Sequence, residues 1–571
     1  METIPASRPS PTRITTADLG AIAICLLAAA VIYAPILLSD RVISNIDFRT
    51  HYRWLSQFSA ALAEGTLYPR WMPLANLGLG ELHYSAYPLY YYTASLLVLA
   101  GLEPWLAMKY LAAVSAWLSG IIAYLGLRRF ISRRIALIGA ILFQATPLFL
   151  FLFSHHAAIP WHFSIPLAAM LLLLAVPPGK HTNRPALALT VSALMLTHVL
   201  VAFMLLLCLG LVWLFHLIRS SVTLRAFILD WSVPVALGIG LAAFHLVPAI
   251  AARALVDPVS STDPVYLNWR NSFVFPTITA AVWGTRWFTI QVTISAVSIL
   301  ALAASLAALW MTRLHSSALW RVTASLCAVS ALGFVFATEL AYPLYAFITL
   351  FQNLQWPYRF ATVAAIASVL TLPLAFTLCL GMSARHWCTK LCILAATTIV
   401  ALNGALQMQL LRDGSRPNLS PNLLKGEFHQ QGSEFATVGP HWRNYVNRGG
   451  FPAQCADAGA ACQATLHLTQ RRQWRIEVKE TARLVLPLFA FAGWAVKLDG
   501  ASVPFAIDPD TGLVAVSVPA GPHVIDIDFR GLPEARIGKW ISIVSGVALL
   551  LLLIRSRRLH RRTAGGHGTE Q

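Results

Sequence analysis

The feature that most constrains this chain is a series of long apolar segments that recur from near its beginning to near its end. Of the 571 residues, 57% are hydrophobic and only 12% are charged, and the mean hydropathy is +0.64. A soluble domain carries roughly 25% charged residues, and a helix that crosses a bilayer needs about 17–25 apolar residues. Because backbone groups in lipid must be paired internally, the sequence predicts an all-α polytopic membrane protein.

Positive charges between the apolar segments predict the orientation of the spans. Arg8 and Arg13 place the N-terminus inside, because basic residues stay on the cytoplasmic side. Alternating inner and outer loops then predict about twelve helices with both termini inside, the first a retained signal anchor. The net charge of +18 lies mainly in short loops between spans, which argues against a nucleic-acid partner. The predicted spans are about 17–38, 104–127, 135–153, 158–176, 186–199, 200–218, 231–252, 288–312, 318–338, 360–381, 390–410 and 537–554.

The composition changes after Arg412, where thirteen of the 24 acidic residues fall. Alternation at Trp474, Ile476 and Val478, followed by further apolar runs separated by turn signals, predicts β-strands. Cys455 and Cys462 are close in sequence, and a disulfide between them is left open. The predicted organisation is an inner N-terminus 1–16, a transmembrane domain 17–410 with a large outer loop 39–103, an extracytoplasmic region 411–536 with a β-sandwich at about 465–530, a last span 537–554 and a basic inner tail 555–571.

The most unusual connection is the stretch 44–92 of the first outer loop, because most connections take only about 4–6 residues. Trp54, Leu55 and Phe58 recur at helical spacing, which predicts an amphipathic helix on a membrane surface. The tyrosines between 84 and 92 are expected at the membrane interface, where aromatic rings are enriched. The apolar run 86–101 is predicted to be re-entrant or interfacial, because only one crossing fits between Ser39 and Arg128.

Few residues on the predicted outer side could act as a general base. The first 412 residues hold eleven acids, and half of the eight on the outer side lie between residues 40 and 81. Asp47 is the best candidate, because it follows the first span and stands beside Arg49 and His51. The alternative is that Asp47 caps the helix or pairs with Arg49.

Other polar residues near the outer face could bind substrate. An outward arginine suits a lipid phosphate, because its planar fork binds phosphate with two hydrogen bonds. The alternative for each arginine is a side chain that anchors a span at the interface. A divalent metal is possible, yet the histidine spacing matches no zinc motif, and we assign no metal ligand. The predicted substrate-binding residues are His51, Glu64, Arg70, Glu81, His83, Arg286 and Arg359.

Several functional classes find no support in the sequence. It contains no glycine-rich loop of the nucleotide-binding type and no nucleophile elbow. It also lacks a charged relay in the middle of a span, which an ion-coupled pump needs.

The residues resemble the GT-C class of membrane glycosyltransferases. The resemblance rests on the acid after the first span, the helical outer loop and the segment Gly65 to Trp71 (GTLYPRW). More narrowly, the chain looks like YfhO-like and 6-pyruvoyl-tetrahydropterin-synthase-related bacterial membrane proteins. That likeness rests on Asp47 with His51, on QWPYRF at 355–360, and on GWAVKLDG at 493–500 with VPAGPHVIDIDF at 518–529.

The resemblance implies a multi-pass enzyme of the bacterial inner (cytoplasmic) membrane with its active site facing outward. The implied donor is a sugar on a polyprenyl phosphate, the acceptor is an envelope glycan, lipid or protein, and Asp47 is the implied base of an inverting transfer. The family often has a second acid directly after the first, where this chain has Phe48. Two alternatives stay open: a non-catalytic transporter or assembly factor for lipid-linked glycans, and a carbohydrate-binding membrane scaffold.

Overall fold

A computed structural model of the chain describes fourteen stretches of backbone. They are residues 14–39, 46–75, 79–84, 87–154, 158–176, 183–258, 269–275, 285–313, 317–352, 354, 356–380, 386–413, 435–437 and 461–565. The disulfide considered for Cys455 and Cys462 lies outside the described side chains.

Most of the described residues form helices. In chain order these are α1 (Thr16–Leu37), α2 (Ile46–Ala63), α3 (Pro88–Leu99), α4 (Pro104–Leu127), α5 (Arg133–Gln144), α6 (Pro147–Ser154), α7 (Ile159–Ala175), α8 (Arg184–Thr197), α9 (Val199–Ile218), α10 (Leu224–Ala226), α11 (Val233–Leu241), α12 (Ala243–Ala252), α13 (Thr285–Met311), α14 (Ala318–Ala337), α15 (Tyr342–Phe347), α16 (Thr349–Gln352), α17 (Phe360–Cys379), α18 (His386–Asp413) and α19 (Glu534–Gly565).

The strands are short near the first loop and longer near the C-terminus. They are β1 (Trp71–Met72), β2 (Glu81–Leu82), β3 (Val256–Pro258), β4 (Phe435–Thr437), β5 (Ala461–His467), β6 (Arg471–Val478), β7 (Ala482–Phe489), β8 (Trp494–Leu498), β9 (Ala501–Val503), β10 (Ala506–Ile507), β11 (Leu513–Val518) and β12 (Gly521–Phe529).

Ten helical segments in the described part of the chain are long and apolar enough to cross a membrane. They confirm the prediction of a helical multi-pass membrane protein, although about twelve spans were expected. Helices α7, α8 and α12 are apolar but shorter, at 10–17 residues. Helix α3 also has only 12 residues, in line with the expected re-entrant or interfacial segment at 86–101.

The predicted single span at 231–252 is wrong, because the helix is interrupted at Ala242. A span-length segment runs over Leu224–Leu241, and α12 begins after Ala242. The Ser542 hydroxyl in α19 donates to the carbonyl oxygens of Gly240 and Leu241 at 3.0 Å and accepts from the Phe244 backbone N–H at 2.8 Å. A side chain that inserts into the backbone hydrogen bonds breaks a helix in this way.

The chain divides into two compact units, which we describe separately. The first unit comprises Met1–Asp40, Lys109–Gly238 and Asn268–Pro417, and α17 is its most buried long helix. Gly333 allows α14 to approach α17, because a Cβ there would lie 2.8 Å from the Ala364 backbone nitrogen. The Ser330 hydroxyl donates to the Ala364 carbonyl at 3.0 Å, a pairing typical of close helices in membranes.

The second unit comprises Arg41–Met108, Ile239–Leu267 and Asn418–Gln571, and it contains the predicted β module. Its strands form two antiparallel sheets, one in the order β5-β6-β12-β8-β9 and the other in the order β10-β11-β7. Side chains of both sheets share one apolar core, as in a sandwich. The first strand starts at Ala461, slightly before the predicted start of the module at about 465.

The first loop is joined to this module by a hairpin of β1 and β2. Trp71 is fully buried, and its ring contacts the rings of Phe491, Trp494 and Phe529 at centroid distances of 5.4, 4.9 and 5.8 Å. Gly80 lies against this ring with a φ of +91°, and a Cβ there would come within 2.6 Å of Trp71 Nε1. The hairpin therefore contributes a large side chain to the core of the module.

Polar contacts reinforce the same attachment. Glu64 accepts hydrogen bonds from the backbone N–H and the hydroxyl of Thr469 at 2.8 and 2.5 Å. The buried Arg472 donates to the Pro73 and Pro487 carbonyl oxygens at 3.3 and 3.2 Å. The loop and the β module are thus in contact. Their location on the outer side of the membrane stays a prediction from the alternation of the basic loops.

We expect Trp71→Ala to loosen the attachment of the β module. Replacing a fully buried tryptophan by alanine costs about 3–5 kcal/mol of unfolding free energy. Thermal unfolding and limited proteolysis of the purified chain measure this loss. Trp540→Ala is the matched control, because Trp540 in α19 is 68% exposed. Equal melting and equal proteolysis of the two variants would contradict the account.

Candidate functional site

Helix α2 carries Asp47 and His51 and is covered by protein. Its apolar side chains Phe48, Leu55 and Phe58 are buried. The Ser59 and Ser95 hydroxyls are hydrogen-bonded at 2.9 Å, which ties α2 to α3. The apolar face of α2 therefore packs against α3 and its tyrosines, and the location of α2 on a membrane surface stays a prediction.

Three of the five tyrosines between 84 and 92 are buried in protein. Tyr84, Tyr90 and Tyr91 are each at most 2% exposed. The Tyr91 hydroxyl is hydrogen-bonded to His51 Nδ1 at 2.7 Å. These three rings therefore form the wall of a buried polar region.

Asp47 lies in the first turn of α2 and is half-buried. Because His51 follows four residues later, the two side chains share one face of the helix. Burial raises the pKa of the Tyr91 hydroxyl, and the nearby charges of Glu81 and Asp47 act in the same direction. The structure thus brings Asp47, His51 and Glu81 to the surroundings of Tyr91. The role of Asp47 as a base stays a prediction.

The hairpin of β1 and β2 separates its side chains onto two faces. Trp71 pairs with Leu82, and both lie in the apolar core of the β module. The Arg70 carbonyl oxygen accepts from the His83 backbone N–H at 2.6 Å, so these two residues stand opposite each other on the other face. Glu81, two residues before His83, shares that face. All three polar side chains are buried, with exposures of 6% for Arg70, 2% for His83 and 1% for Glu81.

Aromatic rings enclose the Arg70 guanidinium. It contacts the Tyr68 ring directly and lies 4.9 Å from the centroid of the Tyr84 ring. The Tyr84 hydroxyl accepts from the Leu532 backbone N–H at 3.2 Å, and the Tyr68 hydroxyl is hydrogen-bonded to His245 Nδ1 at 2.7 Å. Burial lowers the pKa of Arg70 to about 9. At neutral pH the group is therefore a buried cation.

His83 lies in strongly basic surroundings. Burial lowers its pKa well below the usual value, and the charges of Arg70, His245 and His51 lower it further. The imidazole is therefore neutral at pH 7. Its ring packs edge-on against Trp54 at a centroid distance of 4.8 Å.

Glu64 stands apart from these residues. Its carboxylate is occupied by the two hydrogen bonds from Thr469 in the β module. This contact gives Glu64 a role in attaching the module, and the prediction that it binds substrate is untested.

Arg359 belongs to the first unit and precedes α17. It is 9% exposed, donates from Nη1 to the Leu354 carbonyl at 3.1 Å, and lies over the Trp356 and Trp161 rings at 4.2 and 5.8 Å. Its buried Nε has no hydrogen-bond partner among the described residues. Such an atom costs about 1–3 kcal/mol when it is left unpaired.

Two predictions find no structural test. Arg286 falls in α13, but its side chain is outside those described. Among the described residues no three histidine, cysteine or acidic side chains are grouped to hold a metal ion. Binding of a divalent metal stays a prediction.

The surroundings of Arg70 and His83 are only partly local in the sequence. Tyr68 and Tyr84 lie close to them in the first loop, but His245 comes from α12, and no spacing rule links it to the loop. The one available signal was the density of aromatic residues in the first loop.

Comparison with models of known families and with curated proteins finds no match. Similar solved structures include the apo oligosaccharyltransferase of Archaeoglobus fulgidus, with a TM-score of 0.49 and 13% identity over 74% of this chain and 61% of that one. AglB from the same organism, in complex with an inhibitory peptide and a dolichol-phosphate, has a TM-score of 0.47 and 13% identity over 75% of this chain and 61% of that one. The arabinofuranosyltransferase AftD from Mycobacteria has a TM-score of 0.47 and 14% identity over 92% of this chain and 41% of that one.

The chain therefore spans less than two thirds of each of these proteins. With TM-scores below 0.5, these likenesses assign neither a family nor an activity. The narrower resemblance to YfhO-like proteins stays a prediction. The structure itself shows a multi-pass helical membrane protein with a C-terminal β module.

Proposed function

We propose that the chain is a GT-C-type membrane glycosyltransferase that moves a sugar from a polyprenyl-phosphate donor to an envelope glycan, lipid or protein. The observation that carries this proposal is Arg359, a buried guanidinium next to a membrane-spanning helix. Its Nε lacks a hydrogen-bond partner among the described residues. A phosphate oxygen would satisfy that donor and the charge together.

The proposed location is the bacterial inner membrane, with both termini inside and the β module outside. Nucleotide sugars are absent outside the cytoplasm, so a lipid-linked donor fits this orientation. The alternation of basic loops in the sequence supports the orientation.

The proposed reaction is a single inverting displacement. The Asp47 carboxylate takes the proton of the acceptor hydroxyl as that oxygen attacks the anomeric carbon of the sugar. The bond between the anomeric carbon and the phosphate oxygen breaks, and the polyprenyl phosphate leaves with the electron pair. A fixed cation beside the leaving phosphate stabilises its negative charge and lowers the energy of the transition state.

The direct test is transfer of a radiolabelled sugar by the purified chain from a polyprenyl-phosphate donor to an envelope glycan acceptor. The proposal predicts an inverted, labelled product. Donor binding with no transfer to glycan, lipid or protein acceptors would instead support the transporter or assembly factor.

We expect Asp47→Asn to reduce turnover by about 100- to 10,000-fold, the usual effect of losing a general base. Donor affinity should persist, because the base acts on the acceptor. Turnover and thermal stability are measured on the same variant, with Asp528→Asn in the exposed part of the β module as the control. If Asp47 only caps α2, the variant would instead keep normal turnover and lose about 1 kcal/mol of unfolding free energy.

We expect Arg359→Lys to weaken donor binding by about 10-fold or more. The lysine keeps the charge but cannot make two parallel hydrogen bonds to the phosphate as the planar guanidinium does. A lost hydrogen bond to a charged group lowers the binding free energy by about 1.5–3 kcal/mol. Binding of a fluorescent polyprenyl phosphate to the chain in nanodiscs provides the measurement. Arg313→Lys is the control, because Arg313 also lies over a tryptophan ring, at 4.3 Å from Trp310. Unchanged affinity in Arg359→Ala would eliminate this assignment.

A further inference from the structure

The polar face of the hairpin holds Arg70 and His83, which the catalytic proposal does not use, together with the Glu81 carboxylate. Arg70 and His83 face each other there, and the groups that shift the pKa of His83 are Arg70, His245 and His51. No carboxylate is among the groups that shift the pKa of Arg70. Two further imidazoles thus surround a buried cation.

The imidazole on this face is not satisfied by the described part of the protein, whereas Arg70 is hydrogen-bonded to Tyr84. Both ring nitrogens of His83 are buried without a hydrogen-bond partner among the described residues. No ion pair of Arg70 with a carboxylate occurs within that part of the chain. A buried charge without a counter-ion is costly, and a lone buried donor adds about 1–3 kcal/mol. An anion that binds at this face would remove both costs.

The surroundings favour binding of an anion over hydration. Tyr68 and Tyr84 enclose the guanidinium, and Trp54 and Tyr91 contact the imidazole. Aromatic walls exclude water, and a low local dielectric strengthens the attraction between opposite charges.

The backbone that carries these groups is also held in place. Trp71, the residue after Arg70, is fixed in the core of the β module. The Phe489 backbone N–H donates to the Leu79 carbonyl at 3.1 Å, on the other arm of the hairpin. Preorganised donors lose little entropy when a ligand binds.

We propose that Arg70 and His83 form an oxyanion site that binds a phosphate-type group. Arg70 donates two N–H groups to one phosphate, and the neutral His83 donates its single ring N–H to a further oxygen. The group can belong to a lipid phosphate or to a free phosphate ion. This site goes beyond the proposed function, because it uses a different arginine and requires no sugar transfer.

The test measures binding of inorganic phosphate and pyrophosphate to the full chain in nanodiscs by calorimetry and by thermal shift. The wild type should bind and melt at a higher temperature with either ion. Arg70→Gln and His83→Gln should each weaken binding by about 10-fold or more, by loss of a charged or a buried hydrogen bond. Two variants are used because one of them could fail to fold, and the other then carries the test.

Matched controls separate this site from general charge effects. Arg471→Gln and His523→Gln alter a half-exposed arginine and a histidine of the β module that are paired with Asp526 and Asp499. They should leave phosphate binding unchanged. If neither ion binds at 10 mM, or if both site variants bind as well as the wild type, the oxyanion site is wrong.

Two further arms identify the source of the anion and keep this proposal apart from the catalytic one. A short-chain polyprenyl phosphate that displaces phosphate from the wild type but not from Arg359→Ala would reveal competition through Arg359 and overturn the Arg70 site. Displacement that persists in Arg359→Ala and is lost in Arg70→Gln supports a lipid phosphate at this site. If phosphate binding requires Arg70 and the polyprenyl phosphate does not displace the ion, the natural ligand of the site is a free phosphate ion.

Discussion

The burial of Trp71 in the β module is the interaction on which the arrangement of the first loop depends. Alternation along a strand sends neighbouring side chains to opposite faces. With Trp71 and Leu82 fixed in the apolar core, Arg70 and His83 must lie on the other face. A single apolar anchor therefore determines where two basic groups stand. The C-terminal module therefore holds in place the loop that carries the candidate base.

Buried arginines recur in this protein with different degrees of pairing. Arg472 donates to two carbonyl oxygens and joins two parts of the second unit. Arg70 and Arg359 are enclosed by aromatic rings instead, and neither has a carboxylate partner in the described part of the chain. A buried guanidinium without a carboxylate needs another counter-charge. Both proposals therefore place an anionic ligand at Arg70 and Arg359.

The sequence was sufficient for those features that depend on local patterns. Apolar length located most of the spans, and alternation located the strands of the β module, such as β6 and β12. The break at Ala242 could not be predicted, because it depends on Ser542, three hundred residues away. The pairing of β3 with β4 joins Val256–Pro258 to Phe435–Thr437 and is equally non-local.

The same distinction applies to the candidate site. Asp47, His51, Arg70, Glu81 and His83 could be named from the sequence, because charged residues are rare in an apolar chain. The burial of these residues could not be predicted from the sequence, since amphipathic and aromatic patterns are typical of a membrane surface and of a protein interface alike. Helix α2 matched the pattern of a surface helix, and its partner α3 becomes visible only in the fold.

The central claim is that the chain holds a polyprenyl phosphate through Arg359. Single-particle cryo-electron microscopy of the purified protein with a polyprenyl phosphate in nanodiscs tests it most directly. We expect phosphate density within about 2.7–2.9 Å of the Arg359 guanidinium, the distance of a charge-assisted hydrogen bond. Lipid phosphate density that lies elsewhere, with Arg359 still bound only to the Leu354 carbonyl, would contradict it.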